Sequence, residues 1–284
     1  MECNEMKFKQ KRNAGFGQAI ASTIIPTVLV LLFAMPDATA QPADIDDRFS
    51  VSLGVFLTDR DTRTSLDGDI PDSGTDVDLE GTLGFDKSDT VFRIDGYYRF
   101  NEKHRVDFSA FDLSRTASKQ IDEEFIWDGE VYPVDLLVNA DLDLEVYKLA
   151  YTWSFMRRED WYLGASLGVY VMDTGMSIRA DSGGQFSSRG TTAPLPVLGL
   201  RGQYDFSEKW TFRGSAEFFA LDYGDYSGDL YDLYAGVDYQ FSTHVAVGLG
   251  INSVRMDVGV DKPNFDGDLN WEYTGGLLFF KFDF

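Results

Sequence analysis

Thirteen charged residues fall on the polar phase of segments that alternate polar and apolar with period two. The cations are Arg93, Arg99, Arg105, Lys148, Arg201, Arg213 and Lys281; the anions are Asp95, Asp107, Glu217, Asp232, Asp238 and Asp283. Near-equal numbers of the two signs suggest pairing between neighbouring strands. A buried charge must be paired or hydrated. The set is therefore either an ion-paired filling or the wall of a narrow wet passage with charged constrictions. Histidine, the usual base near neutral pH, occurs only as His104 and His244. No nucleophile-elbow, zinc-protease or phosphate-loop motif is present, and no cofactor is expected. A carboxylate pair could act as acid and base, but with 47 Asp and Glu the sequence singles out none. Asp59, Asp61, Asp67, Asp69, Asp72, Asp76, Asp78, Glu80, Asp86 and Asp89 crowd one stretch. Carboxylates suit hard divalent cations; without EF-hand spacing, a solvated acidic surface is the plainer reading.

These residues need elements to position them. An aromatic-x-Phe ending recurs before short turns: Tyr98-Arg99-Phe100, Trp153-Ser154-Phe155, Tyr204-Asp205-Phe206 and Tyr239-Gln240-Phe241, and again at the last residue in Phe282-Asp283-Phe284. The flanking segments alternate strictly. Trp210, Phe212, Ala216 and Phe218 share one face, and Thr211, Arg213, Ser215 and Glu217 the other. That is the pattern of a wall between lipid and a polar interior. Ten strands are predicted, at about 48–58, 91–100, 104–114, 142–155, 161–172, 195–206, 210–221, 230–241, 245–256 and 271–284. The fold class is all-β, a closed antiparallel up-and-down transmembrane barrel, with eight or twelve strands as alternatives. A soluble β-sandwich also alternates, but it gives no reason for aromatic residues to gather at one set of turns. Residues 77–85 alternate too and read as part of the first long loop, set against the rim. Asp128-Gly129 has the composition of a two-residue hairpin turn, predicting a second hairpin that projects well above the barrel.

The N-terminus carries Lys7, Lys9, Lys11 and Arg12, then an apolar run from about Ala19 to Met35, then Ala38-Thr39-Ala40. This predicts a secretory signal peptide over 1–40, cleaved after Ala40. A short segment at 41–47 and a barrel at 48–284 follow. The single cysteine, Cys3, goes with the leader, which excludes disulfides and thiolate metal sites from the rest. The chain has a net charge of −22, which argues against nucleic acid as a partner.

On these residues the chain resembles the small outer-membrane β-barrel proteins of Gram-negative bacteria, the OmpA/OmpX-like group of closed barrels, over about 45–284. The resemblance implies that Phe280, Phe282 and Phe284 form a C-terminal signal read by the barrel-assembly machinery. The glycine of that signal would fall at Phe279; the nearest glycine is Gly276. It also implies that the short turns are periplasmic, with Tyr98, Phe100, Trp153, Phe155, Tyr204, Phe206, Tyr239 and Phe241 as the periplasmic aromatic girdle. The long connections, near 59–90, 115–141, 173–194, 222–229 and 257–270, would face outward. Outer-membrane lipid and lipopolysaccharide are then the expected partners; divalent cations at the acidic loops are the alternative to a solvated surface, and such ions could bridge those loops to lipopolysaccharide phosphates. Some members of the group are lipid-modifying enzymes or proteases, which implies a histidine near the outer rim beside Ser, Asp or Asn. His104 and His244 belong to the opposite end, so no enzyme is expected. The expected function is a structural or surface-interaction barrel with a largely ion-paired, filled lumen. A narrow channel for small solutes is the alternative, and an outer-rim enzyme the weaker one.

Overall fold

In the computed structural model of the protein, the described residues are 47–66, 75–181, 186–223, 226–262 and 265–284. The expected leader and residues 41–46 lie outside them. Among the described residues the structure is all strand and turn: β1 (Phe49–Leu66), β2 (Val77–Asp78), β3 (Ser88–Asn101), β4 (His104–Gln120), β5 (Phe125–Trp127), β6 (Glu130–Tyr132), β7 (Leu137–Arg157), β8 (Trp161–Ala180), β9 (Phe186–Ser207), β10 (Trp210–Tyr223), β11 (Tyr226–Ser242), β12 (Val245–Lys262) and β13 (Phe265–Asp283).

Ten of these close an antiparallel barrel in the order β1, β3, β4, β7, β8, β9, β10, β11, β12, β13, with β13 returning to pair with β1 from Ser50↔Asp283 to Leu66↔Gly267. Closure pairs both edges of the strands at the short-turn end, while β4 beyond Phe111 and β9 before Leu198 are each paired on one side. The chain end completes the seam: the Phe284 carbonyl accepts from the amides of Arg48 and Phe49, both at 3.0 Å, and the Phe284 amide donates to the Phe49 carbonyl at 2.8 Å. β3 stops pairing with β1 at Asp59↔Ser88. Beyond that point β2 takes its place, pairing Asp78 with Arg63 and Val77 with Thr64.

The aromatic-x-Phe endings have a specific cause. At all four short turns the ladder skips a residue, and the skipped residue is the Phe: Phe100, Phe155, Phe206 and Phe241. Each is the extra residue of a β-bulge, which tightens the local twist beside the turn. All four rings are exposed on the outer wall.

The barrel strands run 14 to 22 residues, well beyond the lengths read from sequence. Strand β7 explains the difference. Toward the short turns its outward residues are Tyr147, Leu149, Tyr151, Trp153 and Phe155, all exposed, while Lys148, Thr152 and Ser154 point inward and are buried. Toward the other end the pattern inverts. Asn139, Asp141, Asp143 and Glu145 now face outward, and Val138, Ala140, Leu144 and Val146 are buried inside. β8 and β12 invert likewise, with Met172, Met176 and Ile178, and Val254 and Met256, buried inside. Each of these three strands is thus inside-out over one half and conventional over the other. The apolar outer band on β7 covers nine residues, about 27 Å along the strand at roughly 3.3 Å per residue. It suits a bilayer core when tilted. The strands expected from sequence end where this outward apolar phase ends, and the pairing continues past it. The connections between β8 and β9, β10 and β11, and β12 and β13 are short, because what reads as long loop is continued hairpin.

Just beyond the band, Asp112 on β4, Glu145 on β7 and Asp173 on β8 lie side by side across three strands.

Candidate functional site

The barrel interior has a charged base, an apolar storey above it and a cap. In the base, eight of the expected lumen charges form one continuous chain. Arg105 contacts Asp107 at 2.9 Å. Asp107 also accepts from Thr152 Oγ1 at 2.5 Å and lies 3.8 Å from Arg201. Arg201 pairs with Glu217, and Glu217 with Lys148. Lys148 Nζ donates to Tyr170 Oη at 3.0 Å and to Asp232 at 3.2 Å. Asp232 accepts from Asn252 Nδ2 at 2.6 Å, and Asn252 Oδ1 accepts from Arg93 Nη1 at 2.7 Å. Arg93 also pairs with Asp95 at 2.9 Å.

The remaining five stand apart. Arg213 faces Asp238 at 3.4 Å, and Lys281 pairs with Asp283. Arg99 donates from Nε to the Asp47 carbonyl at 3.4 Å and lies against the rings of Tyr97 and Tyr162. A cavity of about 130 Å³ opens among Arg93, Asp107, Lys148, Arg201 and Asp232, room for several waters beside the charges. Sequence reasoning missed the neutral links Thr152, Tyr170 and Asn252. Their signal was the same inward phase, filtered out by attention to charge alone.

Above this base the lining turns apolar. Phe56, Leu113, Val146, Leu195, Val254, Trp271 and Leu277 belong to one buried cluster. A second cluster closes the end away from the short turns: Leu79, Leu83 and Phe85 from the first loop, Phe125, Trp127 and Tyr132 from the β5–β6 hairpin, and Val138 and Ile178 from the wall. Asp128 (φ 55°) and Gly129 (φ 74°) form the two-residue turn expected from their composition, both left-handed as a type I′ turn requires. The hairpin does not project freely, however. Its three aromatic side chains are buried, each worth about 1.5–3 kcal/mol on burial, and this folds it over the mouth. Its tip is tethered to β9: Arg189 Nη2 and Ser187 Oγ donate to Asp128 at 2.6 and 2.8 Å. The Tyr132 hydroxyl is pushed up to about 12, first by burial, then by Glu130 and Asp128.

The first loop differs from the expectation of a solvated acidic surface at one residue. Glu80 is buried, accepting from the Thr62 amide and from Arg115 Nη2, both at 2.8 Å. Asp67, Asp69 and Asp72 lie outside the described residues. Among the described residues, no group of three His, Cys, Asp or Glu converges as a metal site.

Neither histidine is near the mouth. His104 begins β4 at a short turn and its ring stacks on Tyr151 at 5.8 Å between centroids. His244 lies in the β11–β12 turn, 6.4 Å from the Phe284 ring. Of the expected girdle, Tyr98, Phe100, Trp153, Phe155, Tyr204, Phe206 and Phe241 are exposed at the short-turn end, and Tyr239 is half-buried. Phe280 and Phe284 are exposed on the outer wall, while Phe282 is covered.

With this geometry, comparison with solved structures is informative about architecture. The outer-membrane protease OmpT from Escherichia coli superposes with a TM-score of 0.55 at 10% identity, covering 88% of this chain and 99% of that one. The fold is that of an outer-membrane β-barrel. OprG from Pseudomonas aeruginosa (TM-score 0.38, 16% identity, 87% and 99% covered) and Ail of Yersinia pestis (0.33, 13%, 81% and 98%) also match. At these identities the likeness is one of fold. No sequence family and no curated protein matches the chain.

Proposed function

We propose that this chain is an integral barrel of the outer membrane of a Gram-negative bacterium whose base is closed to ion flow, and that it works through its outer mouth and wall. The observation that carries this is the unbroken chain from Arg105 through Asp107, Arg201, Glu217, Lys148, Asp232 and Asn252 to Arg93, which crosses the lumen. Opening a path would separate buried ion pairs, each costing several kcal/mol. Lipid and lipopolysaccharide are the surroundings of the outward band and acidic rim. The Phe280, Phe282 and Phe284 ending is the feature offered to the assembly machinery. The chain has no enzymatic role in this reading, since its two histidines sit at the short-turn end. Single-channel recording of the purified full chain in a planar bilayer tests it. Electrical silence is expected; steady ohmic steps would favour the narrow channel instead.

A further inference from the structure

Between the apolar storey and the cap lies a chamber of about 170 Å³. Its walls include Leu144, Met172, Met256 and Trp271, and Trp127 lines it from the cap hairpin. The space is comparable to the ~150 Å³ apolar cavity that stays dry and takes up benzene in another protein. Water is a poor occupant, because it needs two to four polar partners and most of this lining is carbon. A charged occupant is no better. Arg189, the cation on this wall, is already held by Asp128 through Nε and Nη2, and an unpaired ion in apolar surroundings is costly.

Two polar groups of this lining are left over, the Thr62 hydroxyl and the Trp127 indole N–H. A hydroxyl can donate or accept, whereas the indole can only donate. The indole N–H of Trp127 is buried without a hydrogen-bond partner, on a residue only 3% exposed, and burying a donor unmatched costs about 1–3 kcal/mol. The Trp127 side chain lines the chamber, and its unpartnered N–H is complementary to an acceptor that settles against that ring.

We propose that this chamber is a binding site for a compact, uncharged, mainly apolar molecule carrying one hydrogen-bond acceptor, about the size of a single substituted six-membered ring, with Trp127 donating to the acceptor. The site is independent of whether the charged base conducts.

The methionines supply the readout. Met172, Met176 and Met256 line the chamber, whereas Met156 is exposed on the outer wall near a short turn. The full chain, labelled with ¹³C-methyl methionine and folded in detergent micelles, is titrated with cyclohexanone, with methylcyclohexane as the analogue lacking an acceptor, and with cyclohexanecarboxylate as the charged one. Cyclohexanone and methylcyclohexane should shift the three chamber methyls saturably and leave Met156 in place, and the carboxylate should not. Trp127→Phe should weaken cyclohexanone by about three- to tenfold, the worth of one hydrogen bond, and change methylcyclohexane less than twofold. Leu195→Trp, which fills the chamber, should abolish both. Heat-modifiable migration on a gel checks that each variant is folded. Non-saturating shifts shared with Met156 would overturn the site, since they report partition into the micelle. Equal weakening of both probes by Trp127→Phe would overturn the acceptor. Chamber methyls that respond to detergent chain length and exclude cyclohexanone would overturn the proposal in favour of a lipid tail.

Discussion

Arg115 on β4 donates from Nη2 to Glu80 Oε1 at 2.8 Å, with the two side chains 4% and 1% exposed. The same guanidinium reaches the Asp86 carbonyl and lies 5.0 Å from the centre of the Phe85 ring. One side chain of the wall therefore holds the described part of the first loop at two points, Glu80 and Asp86, and the cap rests on it.

Removing one partner of a buried pair costs about 3–5 kcal/mol, because the other is left charged and unmatched. Glu80→Gln and Arg115→Met should both release residues 75–87. Hydrogen exchange should show faster exchange there and unchanged protection in β7 and β8. Exchange that rises uniformly across the barrel would mean the pair supports the wall rather than the cap.

In the base, Glu217 neutralises both Lys148 and Arg201. Glu217→Gln should lower barrel stability by about 3–5 kcal/mol, read as a lower midpoint of heat-modifiable migration. Pairing it with Lys148→Met should recover much of the loss, since an apolar replacement of an ion pair is often close to neutral.

Phe284 takes part in three backbone hydrogen bonds across the seam. At about 0.5–1.5 kcal/mol each, deleting it should cost about 2–4 kcal/mol and slow closure during refolding from urea. Phe284→Ala keeps the backbone and should cost less. Equal defects would assign the effect to the ring.

The histidines contact aromatic neighbours at the short turns and no charged group of the base. His104→Asn and His244→Asn should each stay within about 0.5 kcal/mol of the parent in urea unfolding. A larger loss, or loss of any activity later found at the mouth, would reverse the assignment of both as turn residues.

Burial holds the Tyr132 hydroxyl neutral up to about pH 12, against about 10 in an unfolded chain. The stability this group adds is fully present below pH 10 and is lost as pH rises through 12. The cap should therefore stay shut across neutral pH and loosen only in strong alkali, seen as a change in Trp127 fluorescence. Tyr132→Phe should remove that alkaline step; a step at pH 7–9 would point to a different group.

Much of this was legible in the sequence, for definite reasons. A lipid-facing wall forces strict alternation, so the inward phase of Arg93, Lys148 or Glu217 could be read directly. Their partners could not: Lys148 and Asp232 are 84 residues apart, and only the closed ring sets their heights. The aromatic-x-Phe motif marked the turns, but its cause, a bulge at each Phe, is a property of two strands together. The apolar storey was hidden by the inversion at Val146 and Tyr147. Beyond that point the familiar cue, apolar residues facing out, reverses its meaning. The 77–85 segment showed its alternation yet not its destination, since Leu79 and Leu83 bury against residues that arrive from β5, β6 and β8.

That inversion gives the molecule a draught line, like the painted mark on a hull. Asp112, Glu145 and Asp173 sit immediately above it and Tyr147 immediately below. Sinking deeper would carry three adjacent carboxylates into hydrocarbon, and rising would bare aromatic rings to water. Bilayers of different thickness must then deform to meet the protein. Membranes that match the mark would retain it, and thicker ones would be thinned around it.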